Sequence, residues 1–267
     1  MRRYTIIVFI SFLLLSMVLV QCKSPESQIS QSKIGDNVFI PTLVVDRDLE
    51  AHQFEGKSSD KLVRVEVSGE IAIVPQWSFA IIPSLEEVWL SPKVRVVDDN
   101  AFFSCKKLAK INLSDVDTIG ENCFKFSALE EVNLAKAKNI KEFAFSNCLN
   151  LKTVNFSINL KNIGDFAFSG DTALVACHIP SGEIGASAFM GCSRLKQISF
   201  DKVTSIGDAA FLECVSLTSV VIPSSIKTIG NEAFSGCTNL KEVVVRSQDT
   251  KIAENAFGKN VIITYKK

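Results

Sequence analysis

Between Leu62 and Phe257 the apolar positions recur with a period too long for one helix or strand to account for. Leucines stand at Leu62, Leu85, Leu108, Leu129, Leu151, Leu174, Leu195, Leu217 and Leu240, at intervals of 21 to 23 residues. A second register, Phe79, Phe102, Phe124, Phe145, Phe168, Phe189, Phe211, Phe234 and Phe257, keeps the same intervals. Between the two runs a shared frame, seen in TIGENCFKFSALEEVNL, SIGDAAFLECVSLTSVVI and TIGNEAFSGCTNLKEVVV: Ile-Gly, then Ala-Phe, often Cys three residues on, then Leu-x-x-Val-x-Leu. Alternation after each leucine predicts one short strand per unit.

A single unit of this size cannot bury enough apolar surface to offset the ordering of its own backbone, so the units must stack and share a core. The period and the L-x-x-L-x-L run are the leucine-rich-repeat signature. In finer detail, LTSVVIPSSIKTIGNEAFSGCTNL (217–240) resembles the BspA-like, or treponemal, class of leucine-rich repeat, over about Leu62 to Phe257. That resemblance implies an α/β-type repeat solenoid: a leucine-rich-repeat stack with a parallel concave β-sheet and a convex side of short turns or irregular chain. The frame weakens at the ends, where Val74-Pro75, Val97-Asp98 and Ile252-Ala253 replace Ile-Gly, as capping units do. Residues 38–61 lack the frame and read as an N-terminal cap to the 62–267 solenoid, and Val261–Tyr265 reads as a last strand.

In Leu-x-x-Val-x-Leu the residues two and four places after the first leucine point out of the solenoid, onto the concave sheet. The nearer column is Arg64, Glu87, Lys110, Glu131, Thr153, Ala176, Gln197, Ser219 and Glu242; the farther is Glu66, Trp89, Asn112, Asn133, Asn155, His178, Ser199, Val221 and Val244. An outward tryptophan has no role in the core, and tryptophan is over-represented at binding hot spots. The candidate binding face therefore comprises Glu87, Trp89, Lys110, Asn112, Glu131, Asn133, Thr153, Asn155 and His178, set against the plainer reading that an asparagine run merely keeps an open sheet solvated.

Ahead of the repeats the chain opens on two arginines and an apolar run from Ile6 to Val20, too short to span a bilayer comfortably and typical of an export leader. Leu19-Val20-Gln21-Cys22 resembles a bacterial lipobox, with Gln21 where Gly, Ala or Ser is usual. The resemblance implies a leader over residues 1–21, cleavage before Cys22 and lipid on that cysteine; an uncleaved anchor is the alternative. Residues 22–37, polar and rich in serine and glutamine, read as a lipidated cysteine followed by a flexible tether. Both versions place the solenoid outside the cytoplasm, in a bacterial cell envelope, membrane-anchored at the surface or in the periplasm.

Charge adds an exclusion. Lysine plus arginine equals aspartate plus glutamate at 29 each, and the balance gives no electrostatic case for nucleic acid. Seven cysteines follow Cys22. Five of them (Cys105, Cys148, Cys192, Cys214, Cys237) fall three residues after a repeat phenylalanine, Cys123 takes an alanine place and Cys177 a strand place, so buried thiols acting as small hydrophobes explain them all. A disulfide between stacked neighbours such as Cys192 and Cys214 is the alternative; no C-x-x-C supports zinc. His178 could approach Ser199 on the next strand, but no pocket, no oxyanion donor and no nucleotide or hydrolase motif accompanies the pair. The expectation is a monomeric, non-enzymatic binding protein without cofactor or metal. What BspA-like resemblance implies for a partner is a host extracellular-matrix or plasma protein such as fibronectin or fibrinogen, or another bacterial surface protein. A structural or assembly lipoprotein of the cell's own envelope is the second reading.

Overall fold

The computed structural model describes residues 42–56 and 62–266 with their side chains. The leader, Cys22 and the tether lie outside the described residues. What is described is a succession of coils forming a parallel β-solenoid, each coil carrying one phenylalanine of a central column from Phe54 to Phe257.

Each coil begins with a strand in which alternate side chains are buried. Val88 and Leu90 point inward while Trp89 between them is exposed, and Val132, Leu134 and Asn133 repeat the pattern one coil after Lys110–Ile111. These strands pair in parallel with equivalent residues in register: Arg64↔Glu87, Glu131↔Thr153, Ser219↔Glu242. The backbone pairing of this first sheet is continuous over Thr42–Val45, Arg64–Val67, Glu87–Leu90 and Lys110–Ile111, is resumed by Glu131–Leu134 with Thr153–Phe156, and ends on Ser219–Ile222, Glu242–Val245 and Ile262–Tyr265. Two longer strands between these groups, Ala176–Ile184 and Gln197–Ile206, run through the corner that other coils turn with a loop, with a register shift at Gly182/Glu183.

After the corner each coil crosses a second parallel sheet, nine-stranded and ordered as in the sequence from Ile73–Val74 to Lys251–Ile252. The α/β expectation is corrected here. The described residues hold no helix, and this side of the coil is a sheet of mostly two-residue strands rather than irregular chain. The reason is local: the residues two before and two after the spine phenylalanine take left-handed φ in coil after coil, as at Asn122 (50°) and Phe126 (66°) around Phe124, and left-handed residues cannot continue a right-handed helix. With 21 to 23 residues to spend per coil, two strands and such a turn leave no span for helical turns.

Within the coil the leucine, valine, isoleucine, alanine, cysteine and phenylalanine columns are buried. Successive spine rings stack face to face at 5.0 to 5.5 Å over nine contacts, from Phe54–Phe79 to Phe234–Phe257. Residues 42–56, which lack the repeat frame, still supply a first-sheet strand paired with Arg64–Val67 and the first ring of the stack, Phe54. At the other end Ile262–Tyr265 pairs in parallel with Glu242–Val245.

The glycine of each Ile-Gly pair is set by contact between coils. A Cβ on Gly207 would lie 2.7 Å from the carbonyl carbon of Gly185, and one on Gly120 would lie 2.3 Å from that of Asp98. Neither φ is in the left-handed region; the residue is glycine because two backbones of adjacent coils touch there.

Candidate binding face

The outward residues of the first sheet form one open face, and the structure brings the predicted residues together on it in unequal states. Trp89 is 50 % exposed between the buried Val88 and Leu90. Lys110, Glu131, Thr153 and Asn155 are exposed. Glu87 is half-buried because it accepts from Arg64, whose Nε lies 2.8 Å from its Oε2; Arg64 itself is buried, so the first two members of the nearer column are joined as a charged pair.

Asn112 is spent on structure. Its Nδ2 donates to the Leu90 carbonyl at 2.8 Å and its Oδ1 accepts from the Leu90 amide at 2.6 Å. The strand Lys110–Ile111 is only two residues long, and this side chain supplies the pairing that backbone supplies elsewhere. One step along, Asn155 Nδ2 donates to Asn133 Oδ1 at 2.9 Å, and that oxygen also accepts from the Ala135 amide at 3.2 Å. The asparagine column is thus partly a ladder between coils.

His178 lies beside Ser199, Nδ1 to Oγ 2.9 Å, as the sequence suggested, and its Nε2 stands 3.2 Å from Asp201 Oδ2. Both His178 and Asp201 are more than half exposed, and the shallow depression around them is lined by Ala176, Gln197 and Ser219, which offer no converging amides for an oxyanion. The cluster is suited to hydrogen-bonding a partner, not to activating the serine. Among the described residues no group of three or more metal-ligating side chains converges.

Beneath the face, all seven cysteines are buried free thiols. Five donate from Sγ to the carbonyl of the preceding coil's spine phenylalanine, Cys105 to Phe79 at 3.1 Å, and Cys148, Cys192, Cys214 and Cys237 to Phe124, Phe168, Phe189 and Phe211 at 3.2 Å. Burial pushes the Cys105 and Cys237 thiols up to about 12, which removes thiolate chemistry at neutral pH. Cysteine suits the place because it is small, tolerates burial and still satisfies a carbonyl.

Sequence reasoning passed over a second group, on the turns that carry the spine. Trp77, Phe103, Phe126, Phe143 and Phe166 cluster there with Lys125. The doubled phenylalanine at 102–103 and the Phe-x-Phe spacings at 124–126, 143–145 and 166–168 were the available signal, masked by the stronger spine register.

A parallel solenoid with one Leu-x-x-Val-x-Leu strand per coil and an unpaired, side-chain-covered sheet face defines a leucine-rich-repeat protein. The chain belongs to the BspA type leucine rich repeat region family, whose model matches it in six copies over residues 48–175 and 171–266. Proteins of this type are generally protein-interaction scaffolds, typically without enzymatic activity. No curated protein matches the chain. Among solved structures it is similar to a T. pallidum leucine rich repeat protein, at 25% identity, covering 80% of this chain and 78% of that one, with a TM-score of 0.37. A leucine-rich repeat protein from Bacteroides ovatus matches at 17% identity over 91% of this chain and 99% of that one (TM-score 0.33). A leucine rich cell surface protein from Faecalibacterium prausnitzii matches at 18% over 89% and 86% (TM-score 0.34).

Proposed function

We propose that this protein is an exported binding module, held at a membrane by lipid on Cys22, that takes a protein ligand across the open face of its first sheet around Trp89. The carrying observation is the tryptophan. It exposes half of its surface on a face whose neighbours Lys110, Glu131 and Thr153 make no side-chain bonds among the described residues, while its flanking valine and leucine fill the core. A large, stiff aromatic in that setting contributes nothing to folding and much to an interface.

Such a ligand is a host matrix or plasma protein, or a surface protein of another bacterium, bound by the monomer. The test is surface plasmon resonance on immobilised fibronectin and fibrinogen with the native chain and the Trp89→Ala/Asn133→Ala variant. Affinity should fall at least tenfold, about 1.4 kcal/mol, with the unfolding midpoint nearly unchanged because both side chains are exposed and water can replace the bonds that Asn133 accepts from Asn155 and Ala135. Undiminished binding in the double variant would remove the face from consideration. Asn112→Ala serves as a contrast: it should cost stability before it costs affinity, since its amide is committed to Leu90.

A further inference from the structure

The aromatic group on the spine turns has an unusual backbone. Trp77, Phe143 and Phe166 stand two residues before a spine phenylalanine with φ of 58°, 54° and 57°, and Phe126 stands two after one with φ of 66°. Bulky side chains rarely accept that conformation, and a residue kept there against its preference points to a use. The corresponding places in the later coils are held by Ser187, Ala209, Glu213 and Glu232. The apolar character is therefore confined to the coils nearer the N-terminus.

The group is continuous. Trp77 meets Phe103 edge-on at 5.8 Å, Phe103 meets Phe126 at 6.1 Å, and Phe143 stacks on Phe166 at 4.8 Å. Lys125 bridges the two halves, its Nζ 5.4 Å from the Phe126 ring centre and 4.5 Å from that of Phe143. Phe126 remains 40 % exposed and the adjoining Ile81 46 % exposed. A run of aromatic and aliphatic surface across five coils is roughly 20 Å long at the usual strand spacing, and it is larger than scattered single exposures.

We propose that this turn face seats the solenoid on the surface of a lipid bilayer, its rings entering the interfacial layer with the Lys125 amine directed to the phosphates. The inference rests on the reading of Cys22 as a lipid anchor. Three observations select a bilayer. The patch combines tryptophan, phenylalanine and a lysine laid along an apolar stem, the residue types that favour the membrane interface. Only 19 residues, 23–41, separate Cys22 from the strand Thr42–Val45; 19 residues reach at most about 65 Å, so an anchored solenoid stays close to the surface. Finally, the described chain begins at the coil whose His52 stacks on Trp77 at 6.0 Å, beside the first ring of the patch. Of the charges immediately preceding the rings, Glu142 before Phe143 and Asp165 before Phe166 are acidic and Lys125 before Phe126 is basic, so the patch has no basic excess; uncharged phosphatidylcholine should suffice and anionic lipid should add little.

The chain contains two tryptophans, Trp77 on this patch and Trp89 on the sheet face, which makes each a reporter. Full-length protein is purified from membranes and reconstituted into phosphatidylcholine vesicles with brominated acyl chains, as Trp89→Phe (Trp77 emission) and as Trp77→Phe (Trp89 emission). Trp77 emission should fall by half or more and shift to the blue, while Trp89 emission stays unchanged. Adding Phe126→Ser and Phe143→Asn, residue types that occupy these turn positions in neighbouring coils, should reduce the Trp77 quenching at least threefold without altering far-ultraviolet circular dichroism. Vesicle flotation and incorporation of labelled palmitate report the anchor separately. Palmitate-labelled protein that floats with Trp77 no more quenched than Trp89 overturns the proposal and leaves the anchor intact. Quenched Trp77 without palmitate supports the patch and removes the anchor. Protein that neither floats nor shows quenching overturns both.

Discussion

Asp171 stands in the column that holds five of the cysteines, between Cys148 and Cys192, and is wholly buried. Its Oδ1 accepts from the Cys148 amide at 2.8 Å, and Oδ2 has no partner among the described residues. Burial raises its pKa well above the usual carboxylate range, only partly offset by the Cys148 bond. The sign follows from linkage: above the unfolded value of about 4 the folded chain binds the extra proton, so stability falls as pH rises from there toward the folded pKa. Asp171→Asn should therefore gain on the native protein with pH, the difference in unfolding free energy widening as pH rises from about 4 to about 7. Denaturant titrations showing a constant difference would mean the carboxyl is hydrated. Phe145, fully buried between Phe124 and Phe168 at 5.3 and 5.1 Å, gives the complementary measurement. Phe145→Ala should cost about 3–5 kcal/mol by leaving a cavity in the ring stack; a loss below about 1 kcal/mol would contradict the stack.

At the scale of the element, the coil is set by what its two corners and its backbone contacts demand. Gly207 and Gly191 are both glycine for different reasons. Gly207 has an ordinary φ but no space for a Cβ against Gly185 and Ala186, whereas Gly191 has space but a φ of +72°. Gly207→Ala should destabilise by about 1–3 kcal/mol through overpacking of two backbones, in spite of the better intrinsic propensity of alanine. Equal stability of Gly207→Ala and the native chain in guanidinium would show that adjacent coils can separate there. The first-sheet strands place the Trp89 face as the alternation required, and they also show where side chains replace backbone, as Asn112 does for Leu90.

For the whole molecule, stacking makes stability a sum of interfaces between neighbours, and a solenoid of this kind presents long lateral faces rather than one cleft. The open first-sheet face and the aromatic turns lie on different sides of the coil, so ligand binding and a membrane seat are compatible. Anchoring is tested on the full chain. Cys22→Ala should abolish incorporation of labelled palmitate and leave an uncleaved precursor with an unchanged solenoid; equal labelling would defeat the lipobox reading. Protease treatment of intact cells separates the uses: a surface adhesin should be removed, whereas a component of the cell's own envelope facing the periplasm should survive.

The repeat period, the strand in each unit, the inward columns and the outward position of Trp89 were all legible in the sequence, because each depends on a periodicity that one chain displays by itself. The composition of the candidate face was legible for the same reason. Tertiary structure decided what depends on contact between coils. It showed that Asn112 and Glu87 are already engaged, that His178 bridges Ser199 and Asp201, and that the Ile-Gly glycines answer to a neighbouring backbone. The second sheet replaced the expected irregular side because two-residue segments such as Val96–Val97 and Thr118–Ile119 carry too little periodicity to announce a strand until equivalent pairs from adjacent coils lie in register. The aromatic turn face became visible only when residues 20 or more apart met, since in the sequence the stronger spine register masks the phenylalanines that flank it.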